Sequence, residues 1–506
     1  MKIGIGRFLG AAAGGAITSL AFPKADLMFF AWLGLIPLFF LLSDKSPGRA
    51  FLLGWTGGAF FYGILLYWIP AVPAHYGNLP AVASVLVYLF LVLLLASSWA
   101  VFGLVFSLLE RRIPLAAYYG APFVWVGLEY VVTHLLTGFP WGLLGLSQTR
   151  DIALLQVSAV TGIYGVSFIL VLFQALFAAA VKFQKRIPFA VGTIVLVLAH
   201  AGGFAVLRQA APTSESFPAA VIQGNVSSDI YWNEVGPEVV FKLFDDHLDL
   251  TRQAAEKGAR LVIWPEFTVP LCLGCGEPLY RNLAGRLEAF VRETGTTLLV
   301  GTNEESGTAG SPQYFNTAVC LSPDGPTTRY AKMHLVPFGE YTPYKKIFGF
   351  INSVTHAIGE VTPGKEHVLH AFRGIPFGSP ICYEVIFPDL VRRFTKKGAA
   401  FLVTITNDGW YGKSSAPYQH FANAVVRAVE NRRFLLRAAT TGISGIIDPY
   451  GRVLARSEIG VKTFLEETVT PRRPLTFYAR HGDVFAFLGL TTAAVLLILA
   501  FFKRRS

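Results

Sequence analysis

Three side chains of this 506-residue chain carry the groups needed for covalent acyl transfer. Cys382, in Ser379-Pro380-Ile381-Cys382-Tyr383-Glu384, supplies a thiol. Glu266 closes the run Val262-Ile263-Trp264-Pro265-Glu266 with a carboxylate. Lys332 opens Lys332-Met333-His334-Leu335-Val336-Pro337-Phe338-Gly339-Glu340 with an amine. A thiol attacks a carbonyl well only after a base takes its proton, and the tetrahedral oxyanion that results needs a cation or donor beside it. A carboxylate desolvated at the end of an apolar strand suits the base, and lysine suits the oxyanion. Glu340 either orients Lys332 or simply pairs with it. Taken singly, these residues read as a loop acid, a surface amine and a core thiol. Their joint occurrence, each beside a proline, glycine or aromatic that shapes the backbone, argues for a site.

The elements that must position them follow from hydrophobic periodicity. Strands are predicted at 217–223, 260–264, 297–301, 314–321, 326–331, 376–382, 399–406, 434–440 and 443–448. Helices are predicted at 237–257, 279–294, 387–397 and 416–432, the first with an apolar face of Phe241, Leu243, Phe244, His247, Leu248 and Leu250. Strand–helix alternation argues for an α/β arrangement with helices packed on a sheet. Glu266, Cys382 and Asn407-Asp408 fall at strand ends, where such sheets present their chemistry.

This region is only part of the chain. Hydrophobic residues make up 53% and charged residues 15%, and the apolar runs concentrate in 1–208 and 483–502. At about 20 residues per crossing, spans are predicted near 8–22, 28–43, 50–72, 80–109, 114–133, 160–181, 187–208 and 483–502. The first two are short enough to be re-entrant or interfacial. Basic residues cluster in alternate links, at Lys2/Arg7, Lys45/Arg49, Arg111/Arg112, Lys182/Lys185/Arg186 and Lys503/Arg504/Arg505. By the positive-inside rule both termini are then cytoplasmic, and 209–482 lies outside, in the periplasm of a Gram-negative cell. The domains expected are a transmembrane domain of seven spans (1–208), an extracytoplasmic catalytic domain (209–482) and a last span with a cytoplasmic tail (483–506). The basic start reads as a retained signal-anchor.

The net charge of +11 reflects those basic links, which face anionic lipid. Neither zinc-finger spacing nor a base-reading basic helix is present, so nucleic acid is not an expected partner. Cys272 and Cys275 are expected to form a local loop disulfide or remain free thiols, and Cys320 to lie in the core.

Trp-Pro-Glu, Lys-x-His-Leu-Val-Pro-Phe-Gly-Glu and Ile-Cys-Tyr-Glu resemble the three motifs of the nitrilase (carbon–nitrogen hydrolase) superfamily. Within it the chain is similar to the apolipoprotein N-acyltransferase branch. Gly138-Phe139-Pro140-Trp141-Gly142-Leu143-Leu144-Gly145-Leu146-Ser147-Gln148 and Thr406-Asn407-Asp408-Gly409-Trp410-Tyr411-Gly412 resemble that branch rather than soluble nitrilases. The resemblance implies an αββα sandwich beside about eight spans, with Glu266 as base, Lys332 as oxyanion partner and Cys382 as nucleophile. It places Glu340, Tyr383, Glu384 and Trp232 in or beside the site, and it implies no cofactor or metal. The partners it implies are a phospholipid acyl donor, typically phosphatidylethanolamine, and a diacylglyceryl-modified apolipoprotein acceptor, at the bacterial inner membrane. Leu146 departs from the pattern, where an aromatic is expected, as does the Cys272/Cys275 pair.

Phe348, Phe350 and Ile351 could form a lipid-facing lid or ordinary core. Two rival readings remain at this level. One is a membrane-tethered amidase or nitrilase-type hydrolase. The other is a transporter marked by Glu129, Tyr130 and His134 in or beside a span.

Overall fold

The computed structural model describes residues 4–503 apart from 78, 209–214, 228–229, 231–235, 268–271, 273–274, 309–310 and 344–360. Trp232 and the three lid candidates Phe348, Phe350 and Ile351 lie outside the described residues. The chain divides into two compact units. The first comprises Met1–Pro70, Ala81–Ala210 and Thr476–Ser506; the second comprises Ala71–Pro80 and Ala211–Leu475.

The first unit is helical. Among the described residues five helices are long and apolar enough to cross a membrane: Ala81–Glu110, Pro114–His134, Ile163–Phe183, Arg186–Leu207 and Val484–Phe502. The expectation was eight. The helix in place of the first expected span, Ile5–Leu20, has 16 residues. The second breaks into a 3₁₀ turn (Met28–Trp32) and a seven-residue helix (Ile36–Leu42). The third, Pro47–Leu65, is diluted by Gly54, Gly57, Gly58 and Gly63. Those glycines serve packing: a Cβ on Gly54 would lie 2.3 Å from the Trp99 carbonyl oxygen of the helix Ala81–Glu110. Val82, Leu86, Phe90, Leu198 and Phe204 remain exposed on the long helices, as a lipid-facing surface requires. Glu129 is a buried tie, its Oε1 accepting from Trp125 Nε1 (3.0 Å) and Leu144 N (2.7 Å). It thereby anchors the Gly138–Gln148 stretch.

The second unit holds two six-stranded sheets. The first sheet contains β1 (Phe217–Gln223), β2 (Leu261–Ile263), β3 (Thr297–Thr308), β4 (Ser311–Leu321), β5 (Thr328–Ala331) and β12 (Thr463–Val469), in the order β12-β1-β2-β3-β4-β5. The second contains β6 (His370–Phe372), β7 (Ile375–Gly378), β8 (Phe401–Thr406), β9 (Leu435–Ala439), β10 (Gly445–Ile447) and β11 (Val453–Arg456), in the order β11-β10-β9-β8-β7-β6. The centre of each is parallel, β1/β2/β3 and β7/β8/β9, with a helix in each crossover. Helices Pro237–Lys257 and Pro278–Thr294 serve the first sheet; Pro388–Lys396 and Ala416–Asn431 serve the second.

Period-2 alternation decides which side chain faces which layer. On β1, Ala220 and Ile222 join Phe244, Leu248, Leu283 and Phe290 in the core beneath the helices. Phe217 and Gln223 point the other way, to Phe401 at 5.4 Å and to the Ser444 hydroxyl at 2.7 Å on the second sheet. The result is the αββα sandwich. β6, β11 and β12 were not foreseen, and the predicted strand 376–382 ends at Gly378.

Candidate active site

Cys382 opens a 3₁₀ turn, Cys382–Ile386, just beyond β7. Its φ of +51° lies in the left-handed region, unusual for a residue with a Cβ, and its side chain is buried. Glu384, two residues on, holds this turn in place. Its carboxylate accepts from Ile381 N (2.7 Å), Met333 N (2.7 Å), His334 N (3.0 Å) and the Tyr330 hydroxyl (2.8 Å). Glu384 therefore ties the cysteine turn to the segment just after Lys332. Burial pushes its pKa up to about 7, against the pull of these donors. Tyr383 is buried against Phe387 and His334, with ring centroids 5.1 and 5.8 Å away.

Glu266 sits between the sheets and takes donors from both. Its Oε1 accepts from Asn316 Nδ2 on β4 (2.8 Å) and from Lys332 Nζ (3.3 Å); its Oε2 accepts from Asn407 N beyond β8 (2.8 Å). Lys332 Nζ donates to Glu340 Oε1 at 2.8 Å, and Asn316 Nδ2 reaches the same oxygen at 3.0 Å. Asn316 thus joins two carboxylates across which the ammonium is shared. All four side chains are buried.

The electrostatics follow from that packing. Burial alone would lower Lys332, but the charges of Glu266 and Glu340 outweigh it and hold the ammonium well above the ordinary lysine range. Burial and the negative charge of Glu266 push the Cys382 thiol up, and Lys332 only partly opposes them. Burial therefore works against a preformed thiolate at Cys382.

A second buried group also reaches Cys382. Thr406 Oγ1 is 3.1 Å from Cys382 Sγ and 3.1 Å from Asp408 Oδ1. Asp408 accepts from Arg437 Nη2 at 2.8 Å, and His420 Nδ1 lies 2.9 Å from it. His420 Nε2 reaches the Cys382 carbonyl oxygen at 3.1 Å. Gly442 makes room, since a Cβ there would lie 2.4 Å from Asp408 Oδ2.

The structure thus brings together Glu266, Lys332, Glu340 and Cys382, with Tyr383 and Glu384 beside them. Asn316, His420 and Arg437 were not singled out from the sequence, and Thr406 only as the first residue of the Thr406–Gly412 stretch. Of the first three Arg437 alone left a signal, a charge inside the apolar run Phe434-Leu435-Leu436-Arg437-Ala438-Ala439. Cys272 and Cys275 form a disulfide, and Cys320 is buried in β4. No group of three or more His, Cys, Asp or Glu side chains placed to hold a metal occurs among the described residues.

A buried cysteine with a carboxylate and a lysine, set between two sheets of an αββα sandwich, accords with a carbon–nitrogen hydrolase domain, and the carbon-nitrogen hydrolase family model matches residues 219–470. The model of the apolipoprotein N-acyltransferase N-terminal domain matches residues 14–176. The apolipoprotein N-acyltransferase of Geobacter metallireducens is 38% identical over 99% of this chain and 96% of its own length. That of Methylococcus capsulatus is 32% identical over 96% of this chain and 94% of its own. Among solved structures, Saccharomyces cerevisiae Nit3, of the nitrilase superfamily, aligns over 55% of this chain and 97% of its own with 18% identity and a TM-score of 0.39. This chain belongs to the apolipoprotein N-acyltransferase family. It is a membrane protein and an acyltransferase.

Proposed function

We propose that Cys382 carries an acyl chain from a phospholipid, with phosphatidylethanolamine the expected donor, to the α-amino group of a diacylglyceryl-cysteine at an apolipoprotein N-terminus. The observation that carries this reading is the buried Glu266–Lys332–Glu340 cluster beside the buried Cys382 with its positive φ. Because burial disfavours the thiolate, the thiol proton leaves as the donor carbonyl arrives. Glu266 takes that proton while Sγ attacks the ester carbon, and the Lys332 ammonium faces the developing oxyanion. Collapse of the tetrahedral species expels the glycerol oxygen, which receives the proton from Glu266 and departs as lysophospholipid. In the second half the lipoprotein amine attacks the thioester carbon. Glu266 takes the amine proton, the C–S bond breaks, and the amide leaves a thiol on Cys382.

Water at about 55 M competes for the thioester, and exclusion of water favours the amine. Nine-tenths burial of the reacting groups supports that exclusion. Trp232, Phe348, Phe350 and Ile351 are proposed from the sequence as substrate-contacting and lid residues. We place the catalytic unit on the periplasmic face of the inner membrane with both termini cytoplasmic. The alternation of basic links supports this, as does a disulfide at Cys272–Cys275, since disulfides persist outside the reducing cytoplasm. The domain limits 1–208, 209–482 and 483–506 go with that topology.

The test is incubation with labelled phospholipid followed by mass analysis of the intact enzyme. The expected result is an acyl adduct on Cys382, absent in Cys382→Ala and discharged by a diacylated lipopeptide. An adduct discharged only to water would return the hydrolase reading, and no adduct under turnover conditions would defeat the proposal.

A further inference from the structure

We propose that the buried Thr406–Asp408–Arg437–His420 cluster is a positioning device for the nucleophile, gripping Cys382 at its sulfur and at its carbonyl. The proposal deepens the acyl-carrier reading of Cys382 and rests on it. Four side chains, each 0% exposed, converge on one residue from three elements: the end of β8, the helix Ala416–Asn431 and β9. Their target needs holding, because Cys382 has a positive φ that its own Cβ disfavours.

The grip on the backbone comes from His420. A carbonyl oxygen only accepts, so the 3.1 Å contact from Nε2 to Cys382 O requires a proton on Nε2. That requirement holds whether the imidazole is neutral or charged. The other ring nitrogen, Nδ1, accepts from Arg437 Nη2 at 3.0 Å when the ring is neutral and donates to Asp408 at 2.9 Å when it is charged. Arg437 is fixed in turn, its Nε donating to the Ile443 carbonyl at 3.1 Å. Ring orientation, and with it the carbonyl of Cys382, is therefore set by a closed chain of charged and neutral donors with no exposed member.

The grip on the sulfur comes from Thr406, whose hydroxyl carries one proton and faces two acceptors. Turned toward Sγ, it donates to the thiolate as the thiol proton leaves. Turned toward Asp408 Oδ1, it leaves its lone pair to accept from the resting S–H. A thioester sulfur is a poor acceptor, so the hydroxyl belongs on Asp408 while the acyl group is carried. Thr406 thereby stabilises the thiolate only during the attack and the discharge. None of this overlaps with Glu266, which receives no bond from the cluster apart from the Asn407 N–H next in sequence to Thr406.

The experiment compares His420→Leu with His420→Gln, and Thr406→Val with Thr406→Ser, in the full-length, detergent-solubilised enzyme. Three quantities are read: acyl-enzyme formation by intact mass, alkylation of Cys382 by iodoacetamide at fixed pH, and the thermal transition. Alkylation needs no acyl donor, so it separates failure of this proposal from failure of the acyl-carrier reading. His420→Leu should slow acyl-enzyme formation about a hundredfold, as expected of a misplaced reacting atom. His420→Gln, which keeps an N–H near the same place, should recover most of the rate. Thr406→Val should slow both acylation and alkylation about tenfold, with Thr406→Ser near the parent, since a bond to a charged group is lost. A folded His420→Leu or Thr406→Val enzyme reacting at the parent rate would overturn the corresponding grip. Rates that fall only in step with the thermal transition, unrecovered by Gln or Ser, would assign the cluster to packing and overturn the proposal as a whole.

Discussion

Cys382 lies between two buried ionic clusters that look alike by composition and differ in charge balance. On the first-sheet side stand two carboxylates, Glu266 and Glu340, against one ammonium, Lys332, with Asn316 between them. On the second-sheet side one carboxylate, Asp408, meets one guanidinium, Arg437, with His420 packed against both. By residue type the first cluster has one more acid than it has cations, and an unpaired buried charge is costly. The second is balanced. Burial opposes ionisation of Asp408, yet the Arg437 charge beside it helps bring its pKa down to about 2, so it stays a carboxylate. On the proposed mechanism the unbalanced cluster exchanges a proton and the balanced one stays as it is. The difference supports chemistry on one side of Cys382 and geometry on the other.

The largest effects should separate the two clusters cleanly. Cys382→Ala should abolish the adduct and cut turnover by on the order of 10⁴-fold or more, as loss of a covalent nucleophile does. Glu266→Gln should cut turnover by about 10²–10⁴-fold and lower the thermal transition only modestly, because it leaves Lys332 paired with Glu340 but turns an amide N–H toward a donor. Turnover is read by lipopeptide acylation and stability by tryptophan fluorescence on heating. A Glu266→Gln enzyme that melted far below the parent with its activity intact would invert the assignment. Asp408→Asn should show the opposite balance. It strands Arg437 as an uncompensated buried cation, at a cost of about 3–5 kcal/mol, so the thermal transition should fall by many degrees. Equal melting of the Asp408→Asn and Glu266→Gln enzymes would break the comparison.

Acid sharpens it further. His247 and His370 are buried in the same unit, and burial brings their pKa values down to about 4 and about 3. Below the ordinary histidine value of 6.5 the unfolded chain binds protons that these native side chains refuse. The stability they contribute is thus complete above pH 6.5 and is lost as pH falls, at about 1.4 kcal/mol per unit for each histidine. Asp408 also has a depressed pKa, but its contribution persists until pH falls below 3.8 toward 2. Thermal transitions should therefore drop steadily between pH 6 and 4, with the Asp408–Arg437 pair still intact. A transition independent of pH across that range would show that these histidines are not held neutral.

How legible each cluster was in the sequence follows the same division. Glu266, Lys332 and Cys382 stand at the ends of strongly apolar or Pro/Gly-marked segments, so their chemistry was visible beside plain periodicity. The helices and central strands were also legible, because Pro237–Lys257 and β1 keep their periods over many residues. Asn316 and His420 were not, and Thr406 showed only as the head of a family-like stretch, without its role. Each is a small or common polar residue inside a strand or helix, and it gains meaning only when sheet pairing brings it to its partner. Asn316 is 50 residues from Glu266, and Arg437 is 29 from Asp408. Tyr76 is more remote still: its hydroxyl donates to the Gly409 carbonyl at 3.3 Å and its ring meets Trp410 edge-on, across 333 residues of sequence. The strands β6, β11 and β12 escaped because they are short or lie at sheet edges, where burial no longer enforces an apolar pattern.

The smallest effect is expected from the Cys272–Cys275 disulfide, which belongs to neither cluster. It closes a loop of only two intervening residues on the chain between Glu266 and the helix Pro278–Thr294, with Cys272 bridged to Asn303 on β3. Loop-closure entropy grows with loop length, so so short a staple should contribute about 2 kcal/mol or less. Glu266 is already held by donors from both sheets, Asn316 Nδ2, Lys332 Nζ and Asn407 N, and none of these depends on the bridge. Replacing both cysteines by serine should therefore lower the thermal transition slightly and leave acyl-enzyme formation within about twofold of the parent. If acylation instead collapsed while the thermal transition held, the base would be positioned by its loop rather than by the two sheets. The contrast between a proton-exchanging cluster and a fixed one would then need a third support, reaching Glu266 from the disulfide side.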